Sequence, residues 1–150
     1  MSAEEIGAVV RAIVDTQLSE SRFAAERAAS GRVRAITAHA ARDFGVANET
    51  LTAIESLQPF DVEDTEASRS LRTASERSQD QLRSATADDF DRMYVSAAIV
   101  RSAHLIVVLD RLTARTDATV LRRGMGELRS TLADTLRDAQ EAKAQLALEP

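Results

Sequence analysis

The sequence predicts an all-α protein, an up-and-down four-helix bundle with one additional short or weak helix. Three observations predict it. The 150 residues contain only two Pro, five Gly and 3 % aromatics, against abundant Ala, Leu, Arg and Glu, the composition of helix formers. Apolar residues recur at steps of three and four over long runs, which keeps them on one side of a 3.6-residue helix. The connections between those runs are short, which favours antiparallel neighbours. At this length the whole chain, 1–150, reads as one domain with room for a substantial core.

The first helix is expected over Ala3–Ala28, with Ile6, Val10, Ile13, Ala24 and Ala28 on one stripe. Gln17 and Glu20 fall on that same stripe, where apolar residues belong. Ser30-Gly31 breaks the pattern, Gly suiting a helix C-terminus and Ser the next N-cap. The second helix, Arg32–Leu57, carries Val33, Ile36, Ala40, Phe44, Ala47, Leu51 and Ile54 on a narrow coiled-coil-like seam. Gln58-Pro59-Phe60-Asp61 ends it, because Pro disfavours helix in the residue before it. Asp61–Asp64 reads as an acidic linker, with Asp64 or Thr65 capping a third helix, Glu66–Arg83. That helix has only Ala67, Leu71, Ala74 and Leu82 to bury, so it is expected to be short, peripheral or partly mobile.

Asp88–Leu112 reads as the central helix, entered through Thr86 and Asp89 in capping-box-like spacing. One stripe runs Phe90, Met93, Tyr94, Ala97, His104, Val108, Leu112 and another Val95, Ile99, Ser102, Ile106, Leu109. Apolar residues on both sides predict a helix surrounded by protein, its second face covered by a further helix or a second subunit. Arg101 interrupts the first stripe, so the second is expected to lie deeper there. Asp117 is the expected N-cap of the last helix, which carries Leu121, Met125, Leu128, Leu132, Ala139 and Leu146. Gly124 and Gly126 weaken its first turns by roughly 1 kcal/mol each against Ala.

The net charge of −5 offers no basic surface for nucleic acid, and the one adjacent basic pair, Arg122-Arg123, has no aromatic interleaved. Cysteine is absent, which excludes disulfides, thiolate metal sites and cysteine nucleophiles without fixing the compartment. The N-terminal run lacks a basic flank and is interrupted by Arg11, so neither a signal peptide nor a transmembrane segment is expected there. The chain as it stands reads as cytoplasmic; it is periplasmic or secreted if Met1 stands where a leader has been removed.

Chemistry is sparse. Glu-x-x-His pairs suited to a di-iron bundle do not occur: Ile36 precedes His39 by three positions and Arg101 precedes His104. Two His in total cannot supply a typical catalytic zinc site, and no phosphate loop, nucleophile elbow or dinucleotide fingerprint is present. No catalytic residue, metal ligand or cofactor is therefore assigned. Tyr94 and His104 are expected as buried, hydrogen-bonded polar groups, and His39 as a solvated flank of the second helix's seam. Gln17 and Glu20 need partners, since an unsatisfied buried group costs roughly 1–3 kcal/mol. They mark a polar pocket inside the bundle or a point where the helix reaches solvent. An acid–base pair of His104 with Glu20 would require both within ~3 Å, or one water, of a substrate proton.

Phe23-Ala24-Ala25-Glu26-Arg27-Ala28, Val33-Arg34-Ala35-Ile36, Arg42-Asp43, Ala47-Asn48-Glu49-Thr50-Leu51 and above all Phe90-Asp91-Arg92-Met93-Tyr94-Val95 resemble a bacterial family, the ferritin-like domain of unknown function numbered forty-one forty-two. The resemblance runs from about Gln17 to Ala139. It implies a ferritin-like four-helix bundle, usually exported. It also implies His at three positions that here read Phe44, Ser102 and Thr131, and a first-helix Glu where Gln17 stands. With Asp43 and Glu20 these form an expected degenerate pocket: Gln17, Glu20, Asp43, Phe44, Ser102, Thr131.

These features lead to an expected non-enzymatic bundle acting through protein contacts, as a homodimer or with another helical protein, around a degenerate metal site. The alternative is small-molecule or metal binding in a polar pocket between helices.

Overall fold

The computed structural model describes residues 1–57 and 64–149. The helix stop at Gln58-Pro59-Phe60-Asp61 and most of the acidic linker lie outside them. The described residues form five helices: α1 Ala3–Arg27, α2 Gly31–Leu57, α3 Glu66–Arg83, α4 Ala87–Thr113 and α5 Thr119–Leu146. Helices α1, α2, α5 and α4 form the four-helix bundle in that spatial order, and α3 lies along α1 and reaches α4. Cross-helix pairs give the directions. Ile54 meets Gly124 and His39 meets Asp138, so α2 and α5 are antiparallel. Ala29 meets Asp91 and Gln17 meets Arg101, so α1 and α4 are antiparallel too. Asp15 meets Arg72 and Ser19 meets Gln79, so α3 runs parallel to α1. The chain thus goes up and down five times, with α3 making the return pass between α2 and α4.

The caps account for most helix ends. Ser2 and Glu5 form a full capping box on α1, Ser30 Oγ accepts from Val33 N at 3.1 Å, and Thr65 Oγ1 accepts from Ser68 N at 3.1 Å. At α4 half of the expected box forms: Thr86 Oγ1 accepts from Asp89 N at 3.3 Å and donates to Asp89 Oδ2 at 3.1 Å. Two expectations change. Gly31 opens α2 instead of closing α1, whose C-cap is Ala28 in extended conformation. The N-cap of α5 is Ala118, not Asp117, and it makes no side-chain cap bond. Ala118 packs against the apolar core, and its own N–H donates to Thr116 Oγ1 at 3.2 Å.

The seams of α2 and α5 bury as their spacing predicts. The centre of the bundle is elsewhere than expected. Helix α1 contacts all four others and buries Ala8, Val9, Ala12 and Val14 as well as its predicted stripe. Helix α4 is one-sided. It buries Asp91, Tyr94, Val95, Ala98, Ser102, Leu105, Leu109 and Leu112, leaving Met93, Val100 and Val107 facing outward. In the middle of the helix the second stripe is the deeper one, since Ser102 is buried and His104 is exposed. Helix α4 is also long and apolar enough to cross a bilayer, with a mean hydropathy of 1.5 over its most apolar window; here it forms one wall of the bundle.

The third helix is peripheral: of its expected face Leu82 is buried and Leu71 packs against the core, Ala67 and Ala74 stay exposed, and Ser68 and Ser75 are buried in addition. It docks through hydroxyls and ion pairs: Ser75 to Glu20, Gln79 to Ser19, and Arg72 between Asp15 and Asp64. Arg11 donates to Asn48 at 2.6 Å and also to Asp15, Thr52 and Glu55, tying α1 to α2.

Candidate functional site

Helix α3 faces α1 and α4 with short side chains at Ala67, Ser70, Ala74, Ser75 and Ser78. A cavity of about 430 Å³ remains between the three helices, within the usual range for a small-molecule pocket. Val9, Leu71, Leu105 and Val108 give it apolar walls, and Gln17, Glu20, Ser75, Ser78 and Arg101 supply its polar groups. Glu20 is only 2 % exposed.

Antiparallel packing of α1 and α4 puts Arg101 level with Gln17 and Glu20. Its Nε lies 2.7 Å from Glu20 Oε2 and 3.3 Å from Gln17 Oε1. Ser75 Oγ donates to Glu20 Oε1 at 2.9 Å, and Gln17 Nε2 to Glu20 Oε2 at 3.4 Å. Arg101 Nη1 reaches Ser78 Oγ at 3.5 Å, while Nη2 makes no hydrogen bond among the described residues. Burial raises the Glu20 pKa above its ordinary value, outweighing the attraction of Arg101 and the bonds from Ser75 and Gln17. Burial likewise raises the Tyr94 phenol; Glu20 adds to the effect, while Arg101 and the Ser21 hydroxyl oppose it. A buried carboxyl with a raised pKa beside an incompletely used guanidinium can accept or donate a hydrogen bond to the polar end of a guest.

Of the six residues of the expected pocket, two line this cavity. Gln17 and Glu20 line the cavity together. Phe44 is fully buried in the main apolar core. Asp43 sits on the other side of α2, 3.1 Å from His39 Nε2, and Thr131 is half-buried and returns its hydroxyl to Glu127 O. Ser102 is buried, and its Oγ has no hydrogen-bond partner among the described residues. Tyr94 is buried as expected. His104 is not: it is exposed at the cavity rim, because its side of α4 lies beyond the cover that α3 provides. His39 is half-buried between Asp43 and Asp138, bridging α2 to α5. No group of three or more His, Asp or Glu able to hold a metal occurs among the described residues.

Sequence reasoning treated Arg101 as an interruption and missed it as a partner. The signal was present in Gln17 and Glu20, two polar groups on a core stripe that had to be met by something on a facing helix.

The Phe90-Asp91-Arg92-Met93-Tyr94-Val95 run builds one end of the bundle. Phe90 stacks on Tyr94, with centroids 6.4 Å apart, and meets Phe23 edge-on at 6.0 Å. The Arg27 guanidinium lies 5.5 Å from the Phe90 centroid. Asp91 accepts from the backbone N–H of Ala29 at 2.9 Å and of Ser30 at 2.8 Å, clamping the α1–α2 turn. Arg92 Nη2 donates to Leu146 O at 3.5 Å, near the end of α5. The most distinctive residues of the chain are therefore architectural.

Comparison with curated proteins and with solved structures gives no match. The model of one family, described as Domain of unknown function (DUF4142), matches residues 2–142, and the chain belongs to that family.

Proposed function

We propose that this bundle is a non-enzymatic binding protein whose site is the α1–α3–α4 cavity. Its ligand is a small amphipathic molecule with an apolar body and a polar end that accepts hydrogen bonds, such as a carboxylate. The observation that supports this most is Glu20, 2 % exposed and paired to Arg101 beside about 430 Å³ of open space. A buried ion pair is poor value as a stability device, since well-packed apolar residues of similar volume do as well or better. A bundle selected for packing alone would also fill the space. Arg101 Nη2 is the donor for the ligand's polar end. Leu71, Leu105 and Val108 receive the chain.

The degenerate-metal reading draws its support from connectivity. Within the four-helix bundle, α2 and α4 are joined by one long connection that contains α3, the crossover type found in ferritin-like folds. On that reading Phe44, Ser102 and Thr131 replace imidazoles, and the binding role has passed from the bundle axis to the cavity outside it.

Titration calorimetry with decanoate, and with decanol as the uncharged comparator, tests the proposal. Decanoate is expected to bind, with an affinity at least tenfold weaker in Arg101→Met and lost in Ala74→Trp, which fills the cavity from α3. Absence of binding by both probes, or binding unchanged in both variants, overturns it.

A further inference from the structure

The outward face of α4 is apolar and self-complementary, and nothing among the described residues covers it. Val100 is 72 % exposed at its centre, with Met93 at 39 % and Val107 at 47 %. Met93 and Val107 lie seven residues either side of Val100, two helical turns each way. Asp89 and Arg111 lie eleven residues either side, and Ser96 and His104 four. All of these are exposed and fall on the same side of the helix. Asp110 is already held by Arg129 of α5 at 2.7 Å, whereas Arg111 makes no ion pair among the described residues.

We propose that this face is an isologous interface with a second copy of the chain, α4 packing antiparallel on α4 about a two-fold axis through Val100. That register sets Val100 against its own counterpart, Met93 against Val107, Ser96 against His104, and Asp89 against Arg111. Each contact occurs twice, as two-fold symmetry requires. Charge decides the orientation. A parallel pairing would oppose Asp89 to Asp89 and Arg111 to Arg111, whereas the antiparallel one joins opposite charges at both ends and opposes the helix dipoles favourably. One helix pair buries less than the ~800 Å² per partner of a standard interface, the class of weak, reversible contacts. The rim residue His104 lies on this face, so pairing brings the second copy to the mouth of the cavity.

Sedimentation equilibrium of the full chain from micromolar to millimolar concentration tests the proposal. A reversible dimer is expected, at least tenfold weaker in Val100→Glu, whose two carboxylates meet at the axis, while its thermal melt by circular dichroism stays unchanged. Asp89→Arg and Arg111→Asp are each expected to weaken the dimer, and the double exchange to restore it. Because the chain has no cysteine, Val100→Cys supplies a lone thiol that is expected to cross-link on mild oxidation, unlike Val46→Cys, a 61 % exposed site on α2. A strict monomer at millimolar concentration overturns the proposal. So does a dimer indifferent to Val100→Glu, or a double exchange without recovery. A monomer that co-sediments with phosphatidylglycerol vesicles overturns it in favour of a lipid-facing helix.

Discussion

Arg101 Nε lies 2.7 Å from Glu20 Oε2, joining two charges on separate helices in a region where Glu20 is almost wholly out of water. Burial nevertheless prevails, and the Glu20 pKa stands above its ordinary 4.5. A carboxyl with a raised folded-state pKa binds protons more tightly when folded. Its contribution to stability is fully present below 4.5 and is lost as pH rises through the folded pKa.

Arg101→Met removes the largest influence holding that pKa down, so it rises further. The variant is expected to lose roughly 3–5 kcal/mol near pH 8, where a buried carboxylate is left unpaired. The loss should shrink as pH falls toward 4.5 and Glu20 takes up its proton. Urea unfolding across this range measures it; equal losses at both ends would contradict the account. Asp110, its pKa lowered by Arg129, works in the opposite sense and a lower window: its contribution holds above 3.8 and fades as pH falls.

Asp91→Ala leaves two backbone donors at the α1–α2 turn without their acceptor. Hydrogen bonds to charged groups contribute roughly 1.5–3 kcal/mol each, so a total loss of about 3 kcal/mol is expected. Hydrogen exchange should quicken at Ala29 and Ser30 before it does elsewhere; a uniform change would speak against a local clamp.

The two glycines of α5 are expected to behave differently. A Cβ at Gly126 meets nothing within 4 Å, so Gly126→Ala should stabilise by roughly 0.5–1 kcal/mol. A Cβ at Gly124 would come 2.8 Å from Ile54 Cδ1, so Gly124→Ala should gain less or lose. Adding Ile54→Val, which deletes that methyl, should make Gly124→Ala more favourable than it is alone. A double-mutant cycle measures the coupling.

Arg11→Lys keeps the charge and gives up the fork that reaches Asn48, Thr52 and Glu55 together. A loss of about 1 kcal/mol is expected, similar in size to Arg11→Ala. Denaturant midpoints of the two variants check it; full stability in the lysine form would show that charge alone suffices.

The parts that could be read from sequence are those where one spacing admits one answer. The seams of α2 and α5 have a single apolar face, and burial follows it. Helix α4 has too many apolar positions for its pattern to say which remain outside, so His104 was expected inside and Val100 had no place on either stripe. Glu20 and Gln17 announced a site on their own helix. Arg101, more than eighty residues away, could not be matched to them until the antiparallel register of α1 and α4 was known. Ala118 takes the cap position one residue after Asp117, and its N–H is met by the Thr116 hydroxyl, a partner no spacing rule singles out.

The docking of α3 on α1 through Ser75, Gln79 and Arg72 has a further consequence for local opening. A wall fastened by exchangeable hydroxyl and guanidinium contacts can swap them for water one at a time, which hydrocarbon contacts cannot do. It can therefore swing aside while the four-helix frame stays folded. Amides of α3 should exchange with solvent through a partial opening well before those of α1. On the binding role proposed above, a bound guest should slow that opening.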